Sequence, residues 1–466
     1  MMKHMPYAVR QRDVAPAAAP VPPNPAFPRA CIIGAGSSGL AAAKALHAAG
    51  VPFDCFEQGS VPGGNWVYDN PNGVSACYET LQINTSCPRM AFSDFPMPAD
   101  YPPYARHDQV AAYFDAYVDH FAFRERITFN TTVVDVSRAG SGWGVVTHGA
   151  DGELTRHYDA VLVANGHHWD PRWPDPVYPG HFDGEQMHSH DYRSGEQLRD
   201  RDVVVVGSGN SALDIASEAG RGARNTVLSQ RRGQWILRKF TLGLASDRLA
   251  LPGWMPWWAT RARLRFGALT SGNAARLGLP QPDHAPGESH PVQSEEIRQA
   301  LRSGAVIPRP GIERLDGSEV VFTDGTRSHA DLIVWATGYN VSFPFFDADL
   351  LSVEKNNLPL WKRTVHPGLP GLFFIGLLQP VGAVMPLAEA QSRWVAEHLT
   401  GRYVPPAASE IHRQMMADHE RVRRRFYASP RHTMEVDFDH YLWDLARERR
   451  RGATRTRVAA ARVAAA

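Results

Sequence analysis

The sequence predicts an α/β protein built from two Rossmann-like dinucleotide-binding domains, the second inserted into the first. Two stretches carry that prediction. Cys31-Ile32-Ile33 runs into Gly34-Ala35-Gly36-Ser37-Ser38-Gly39, then into the alanine-rich helical segment Ala41–Ala49, stopped by Gly50. Asp202 to Val206, with four valines, runs into Gly207-Ser208-Gly209-Asn210-Ser211-Ala212 and a second helical segment. In such a strand–turn–helix unit the first glycine makes the tight turn. The second lets backbone approach a pyrophosphate, and the third position lets helix pack on strand. Free N–H groups and the helix dipole then favour an anion at the helix N-terminus.

A chain of 466 residues exceeds one ordinary core, since domains cluster at roughly 100–200 residues. The formal charge of +1 gives no global field to attract nucleic acid or a membrane. Cys31, Cys55, Cys77 and Cys87 are scattered, without a C-x-x-C pair. A disulfide framework or thiolate metal site is not expected, and a reducing, cytoplasmic location is. No apolar run reaches transmembrane length, and no signal-peptide layout opens the chain. Val14–Pro28 holds six prolines and five alanines, so residues 1–28 are expected to form a disordered leader.

The first domain is expected over 29–170. Its second strand, Pro52 to Phe56, ends at Glu57, 18 residues after Gly39. A carboxylate there accepts ribose hydroxyls and repels a 2′-phosphate. Pro62-Gly63-Gly64-Asn65-Trp66 follows, either backbone laid against a flat ligand or a turn with a buried tryptophan. Val110, Tyr113, Phe114, Tyr117 and Phe121 recur at helical spacing and mark core. Thr128–Val136 and Trp143–Thr147 suggest a hairpin-rich insertion. Asp159–Gly166 is a buried strand that returns to the first sheet.

The second domain is expected over 171–335. Its strand Asn225–Ser229 ends not in an acid but in Gln230-Arg231-Arg232. Guanidinium forks match phosphate oxygens, so Arg231 and Arg232 predict NADPH. Residues 240–290 look irregular. Trp254, Trp257 and Trp258 precede Arg261, Arg263 and Arg265 there. A packed insertion is the plainest reading; a substrate entrance, a subunit contact or a membrane-facing surface are the others. Ala330–Tyr339 is a final buried strand. The first domain is expected to resume over 336–446, with a strand at Leu372–Gly376 and a helix at Pro386–Leu399. From Arg447 a frayed basic tail is expected, with seven arginines and one acid.

Between the two turns lies Phe182-Asp183-Gly184-Glu185-Gln186-Met187-His188-Ser189-His190-Asp191-Tyr192-Arg193. This resembles the F-x-G-x-x-x-H-x-x-x-Y pattern of the flavin-containing monooxygenase family. Gly63–Trp66, Leu81-Gln82-Ile83-Asn84-Thr85-Ser86, Ala336-Thr337-Gly338-Tyr339 and Glu389-Ala390-Gln391-Ser392-Arg393-Trp394 are similar to further motifs of that family. Baeyer–Villiger members carry tryptophan where this chain has Tyr192. The resemblance spans roughly residues 29–402 and omits the membrane-anchoring C-terminal helix of animal members.

The resemblance implies FAD in the first domain, held by Gly34, Ala35, Gly36, Ser37, Ser38, Gly39, Glu57, Gly64, Asn65, Trp66, Thr85 and Gln379. It implies NADPH in the second, held by Gly207, Ser208, Gly209, Asn210, Ser211, Arg231 and Arg232, with Asn84 reaching the nicotinamide. Asn84 and Tyr192 are the expected catalytic residues, and no metal is expected at His188 and His190. The implied reaction takes O2 to a small amine or thioether through a C4a-hydroperoxyflavin. Alternatives are Baeyer–Villiger oxidation of a ketone, or a protein that binds both cofactors without oxygenating. Nucleic-acid partners are not expected. Oligomeric state stays open, a homodimer being one option.

Overall fold

The computed structural model describes residues 21–241, 243–249, 251–289, 291–353, 358–425 and 434–464. Two all-parallel five-stranded sheets organise them. The first begins with β1 (Ala30–Ile33), helix α1 (Ser37–Ala49), β2 (Phe53–Phe56), β3 (Ile127–Thr128) and β4 (Ala160–Val163). The chain then builds the second sheet from β5 (Glu185–His188), β6 (Asp202–Val206), helix α2 (Asn210–Gly222) and β7 (Asn225–Ser229). Helix α3 (Trp257–Ser271) precedes β8 (Ile307–Arg309) and β9 (Leu332–Trp335). Finally β10 (Leu372–Phe374) and helix α4 (Met385–Leu399) return to the first unit, followed by helix α5 (Phe438–Ala464). The strand orders are β10-β4-β1-β2-β3 and β5-β9-β6-β7-β8. The second unit is thus inserted into the first.

Both sheets are buried on both faces, as parallel sheets are. In the first, Ala30, Ile32, Cys55 and Leu162 face the core shared with α1 and α4. Cys31, Ile33, Phe56 and Val163 face Trp143, Phe343 and Phe374. In the second, Val203, Val205 and Leu228 pack beneath α2. Val204, Val206 and Val227 pack on Ile312, Val320 and Phe322. The alternating register explains why these strands read as continuous apolar runs rather than amphipathic ones.

Three expectations need correction. Residues 21–28 are not a loose leader: Asn24 donates its N–H to the Gly50 carbonyl at 2.8 Å, and Phe27 packs on the core. The expectation for residues 1–20 lies outside the described residues. The tryptophan-rich insertion contains a 15-residue helix, α3. Its apolar pattern misleads because it buries Ala259, Leu264 and Ala268 while Phe266 and Leu269 stay exposed. Trp254 and Trp258 stay 66% and 69% exposed. The C-terminal segment is no frayed tail but part of the 27-residue α5. Arg449 pairs with Glu397, and Arg455 with the buried Glu448. Gly452 admits the Tyr403 ring, which a Cβ there would meet at 1.9 Å.

Candidate cofactor and active site

The two glycine turns are built alike. Gly34 (φ +97°) and Gly207 (φ +151°) each follow the central strand of their sheet and pass a neighbouring carbonyl. A Cβ on Gly34 would lie 2.8 Å from the Ala164 oxygen, and one on Gly207 2.4 Å from the Ala336 oxygen. Both positions therefore require glycine. Gly39 is tighter still, its Cβ falling 1.8 Å from the Gly34 oxygen. A Cβ on Gly209 would meet nothing within 4 Å, so that face of the backbone looks onto open space. Helices α1 and α2 start after Gly36 and Gly209, and no side chain caps either. Their first N–H groups, at Ser37, Ser38 and Gly39 and at Asn210 and Ser211, lack helical acceptors. Each is an anion-binding end of the kind a pyrophosphate fits.

Glu57 distinguishes the first site. It is 5% exposed and accepts the Ala35 N–H at 2.6 Å and the Gly59 N–H at 2.7 Å. Burial raises its pKa, and these two bonds hold it down. Each oxygen keeps acceptor capacity beyond them, which suits ribose hydroxyls. The Gly63–Gly64 turn lies directly on the first glycine turn: the Gly63 N–H donates to the Ala35 carbonyl at 3.0 Å. A Cβ on Gly64 would meet the Gly36 Cα at 2.9 Å. Trp66 packs on the core. The Asn65 Oδ1 is already bonded, accepting the Ala76 N–H at 2.8 Å, so this side chain shapes the neighbouring loop.

The Asn84 loop is clamped on both sides. Ile83 donates its N–H to the Ala105 carbonyl at 3.0 Å, and Ser86 donates to Asp247 Oδ2 at 2.6 Å. Ile83 and Thr85 are buried, while Asn84 between them is partly exposed. The motif around Gln391 acts at a distance from this loop. Gln391 Oε1 accepts the Gly376 N–H at 2.8 Å, and the Gly376 backbone lies against Ser38. The returning chain is thereby fixed over the first turn. Gln379 sits on a short strand paired with Glu435–Asp437.

In the second site the two arginines part company. Arg232 pairs with Asp283 at 2.7 Å. Arg231 is exposed, at the end of β7, where an adenosine phosphate would be met. Asn210 Oδ1 accepts the Gln293 N–H at 3.2 Å, which joins the insertion's far end to the start of α2. Arg309 stands opposite Ser229 in β8. Nothing in the sequence marks it, since only the pairing of β8 with β7 brings it beside Ser229, two residues before Arg231.

Tyr192 is completely buried under α2, its ring 5.7 Å from that of Tyr78. Burial drives its pKa upward, so it is a neutral phenol in the core of the second unit. His188 is buried too, with Nδ1 accepting the His190 N–H at 3.0 Å. Burial lowers its pKa to about 4. His190 Nε2 meets the Gly73 carbonyl at 3.0 Å. These histidines serve the junction of the two units. Tyr78, Asp214 and Asp247 are further residues the sequence did not single out.

Paired glycine turns, one marked by a buried carboxylate and the other by an exposed arginine, define a protein with two sites of the dinucleotide-binding kind. The chain belongs to the flavin-binding monooxygenase-like family, whose model matches residues 28–252 and 269–451. It is 33% identical over 440 residues to flavin-containing monooxygenase 5 of Mus musculus, covering 90% of this chain and 82% of that protein. It is 31% identical over 440 residues to dimethylaniline monooxygenase [N-oxide-forming] 2 of Pan troglodytes, with the same coverages. Among solved structures, S-allyl-L-cysteine S-oxygenase from Allium sativum superposes with a TM-score of 0.68 at 27% identity, over 92% of this chain and 89% of that one. An open cyclohexanone monooxygenase structure gives 0.69 at 16% identity, over 91% and 98%, and shares the fold. The protein is a flavin-dependent monooxygenase that uses FAD, NADPH and O2 on a small molecule. No helix among the described residues is long and apolar enough to cross a membrane.

Proposed function

We propose that the enzyme oxygenates a soft nucleophilic nitrogen or sulfur of a small amine or thioether. Residues 29–170 and 336–446 hold FAD in this reading, and 171–335 hold NADPH. The observation that carries it is the Asn84 loop, which is clamped to the first unit at Ala105 and to the insertion at Asp247. An amide there can donate and accept at once, as a flavin edge beside a nicotinamide requires. Bound FAD, reduced by NADPH, supplies the activated oxygen. The protein's own part is to position both dinucleotides and keep water out. Glu57 holds the FAD ribose, and the N-termini of α1 and α2 hold the two pyrophosphates. Arg231 reads the 2′-phosphate of NADPH. Tyr192 acts by supporting α2 and not by touching substrate. The names of the Allium and Pan relatives, an S-oxygenase and an N-oxide-forming enzyme, support the substrate class. The four buried free thiols suit a reducing compartment such as the cytoplasm.

The test is a panel of one thioether, one tertiary amine and one cyclic ketone, each followed for NADPH loss, peroxide release and incorporation of labelled oxygen. Sulfoxide or N-oxide as the main product is expected. Lactone as the only oxygenated product would replace this reading with Baeyer–Villiger oxidation. NADPH oxidation without incorporation into any of the three would remove it.

A further inference from the structure

Residues 78–80 leave the first unit and grip the second. Tyr78 Oη donates to Asp214 Oδ2 at 2.6 Å. The next residue, Glu79, donates its N–H to the Arg193 carbonyl at 2.8 Å. Thr80 Oγ1 then donates to Glu218 Oε2 at 2.8 Å, and the other oxygen of Glu218 accepts the Gly195 N–H at 3.1 Å. Asp214 and Glu218 stand one turn apart on α2, so both acids face the same strip of the first unit. Asp214 is itself one turn from Asn210, where the helix and its anion-binding end begin. Tyr78 is 4% exposed and packs against Tyr192. Downstream, His107 donates its N–H to the Leu81 carbonyl and Ile83 donates to Ala105, each at 3.0 Å. The path from Tyr78 to Asn84 is therefore held at nearly every step.

Domains joined this way move relative to each other unless their interface is fixed. We propose that the Tyr78–Asp214 bond is an interdomain latch that sets the N-terminus of α2, and with it bound NADPH, against the loop carrying Asn84. Tyr78 and Asp214 are positioning residues under this proposal. The inference rests on the reading that Asn84 and α2 face the two cofactors.

The surroundings of Asp214 give the latch a pH dependence. Tyr78 comes from the 78–80 strip, Lys239 from the segment just before the insertion, Glu296 from the helix Glu296–Ser303, and Glu218 from α2. Burial raises the Asp214 pKa to about 6, while the Tyr78 bond and Lys239 oppose the rise. Burial keeps Tyr78 protonated well beyond the usual phenol range, so it remains the donor. An ionised carboxylate accepts more strongly than a neutral acid. The latch is strongest above pH 6 and weakens as pH falls through that value.

The experiment compares FAD-loaded wild type, Tyr78→Phe, Asp214→Asn and the double variant. NADP⁺ binding is read from the flavin absorbance change, with no oxygen-accepting substrate present, so the outcome is independent of which substrate the enzyme takes. Each single variant should keep a full complement of FAD and bind NADP⁺ more weakly: roughly tenfold for Tyr78→Phe, which loses a hydrogen bond to a charged group, and less for Asp214→Asn, whose amide oxygen accepts in place of the carboxylate. The double variant should be no weaker than the weaker single one. The affinity ratio of wild type to Tyr78→Phe should be largest at pH 8 and close toward one by pH 5. Titration of the NADP⁺ phosphate is common to both proteins and cancels in that ratio. Wild-type affinity in both single variants, additive losses, a ratio flat with pH, or loss of FAD from Tyr78→Phe would each overturn the latch.

Discussion

Glu57 accepts the Ala35 N–H at 2.6 Å, so the end of β2 is tied to the first glycine turn by the same carboxylate that we propose takes the FAD ribose. A glutamine at this position keeps one acceptor and turns an NH₂ toward either the Ala35 or the Gly59 N–H. Glu57→Gln should weaken FAD by roughly 10- to 100-fold, the range for a hydrogen bond to a charged group. Reconstitution of the apoprotein, followed by flavin fluorescence quenching, measures it. Undiminished FAD affinity would remove Glu57 from the ribose site.

Two glycines in equivalent turns should answer substitution differently. Gly39→Ala drives a Cβ to 1.8 Å from the Gly34 oxygen, so α1 must shift off β1. Overpacking of that kind costs about 1–3 kcal/mol, and thermal melting of the apoprotein should show it. Gly209→Ala meets nothing within 4 Å and should leave that melting temperature unchanged. Its methyl group stands where backbone would meet phosphate, so NADP⁺ binding should fall while FAD binding stays.

Arg231 and Arg232 are adjacent but not equivalent. Arg232 is engaged with Asp283, and both side chains are nearly half exposed, at 46% and 48%. Such a surface pair contributes only about 0–1 kcal/mol. Arg231→Ala should raise KM for NADPH far more than for NADH, whereas Arg232→Ala should change the two alike and only slightly. Equal effects of Arg231→Ala on both coenzymes would remove it from the 2′-phosphate.

Asn84→Asp exchanges an amide for a carboxylate without changing its size. The loop's backbone anchors at Ala105 and Asp247 are untouched, so FAD should stay bound. Loss of a positioned donor in a closed site costs about 3 kcal/mol, near a hundredfold in rate. Oxygenated product should fall by that factor while peroxide takes its place. Product and peroxide measured together against NADPH loss decide it, and normal coupling would sink the assignment.

The two nucleotide units were legible because glycine turns depend on local sterics: Gly34 and Gly207 each brush a carbonyl that any Cβ would strike. Glu57 was legible for the same reason, since it closes the unit that Gly34 opens. What sequence could not give was partnership across long separations. Nothing near Arg232 announces Asp283, and nothing near Tyr78 announces Asp214, 136 positions away. Helix α3 was hidden because its buried face mixes Leu264 with the small residues Ala259, Ala268 and Ser271, while Trp258, Phe266 and Leu269 stay exposed, so no clean apolar stripe marks it. The C-terminal arginines looked like a solvated run because Glu397, one of their partners, lies on another helix. Periodicity reports which face is buried, and charge runs report composition. Neither reports which distant residue completes a pair.

Asp214 separates stability from positioning. Its carboxyl titrates near 3.8 in the unfolded chain and at about 6 in the folded protein. Below pH 3.8 both states hold the proton and the folded state has its full stability. Between 3.8 and about 6 the unfolded chain releases the proton first, so stability falls as pH rises through that window, by roughly 3 kcal/mol for a shift of this size. Asparagine has no proton to lose, and its Oδ1 can still accept from Tyr78. Asp214→Asn should therefore melt at or above the wild-type temperature at pH 8, with the advantage shrinking toward pH 4. Its NADP⁺ affinity at pH 8 should nevertheless be lower. A residue that served only to stabilise the core would lose both together. Melting curves and NADP⁺ titrations on the same preparation at pH 4, 6 and 8 distinguish these outcomes.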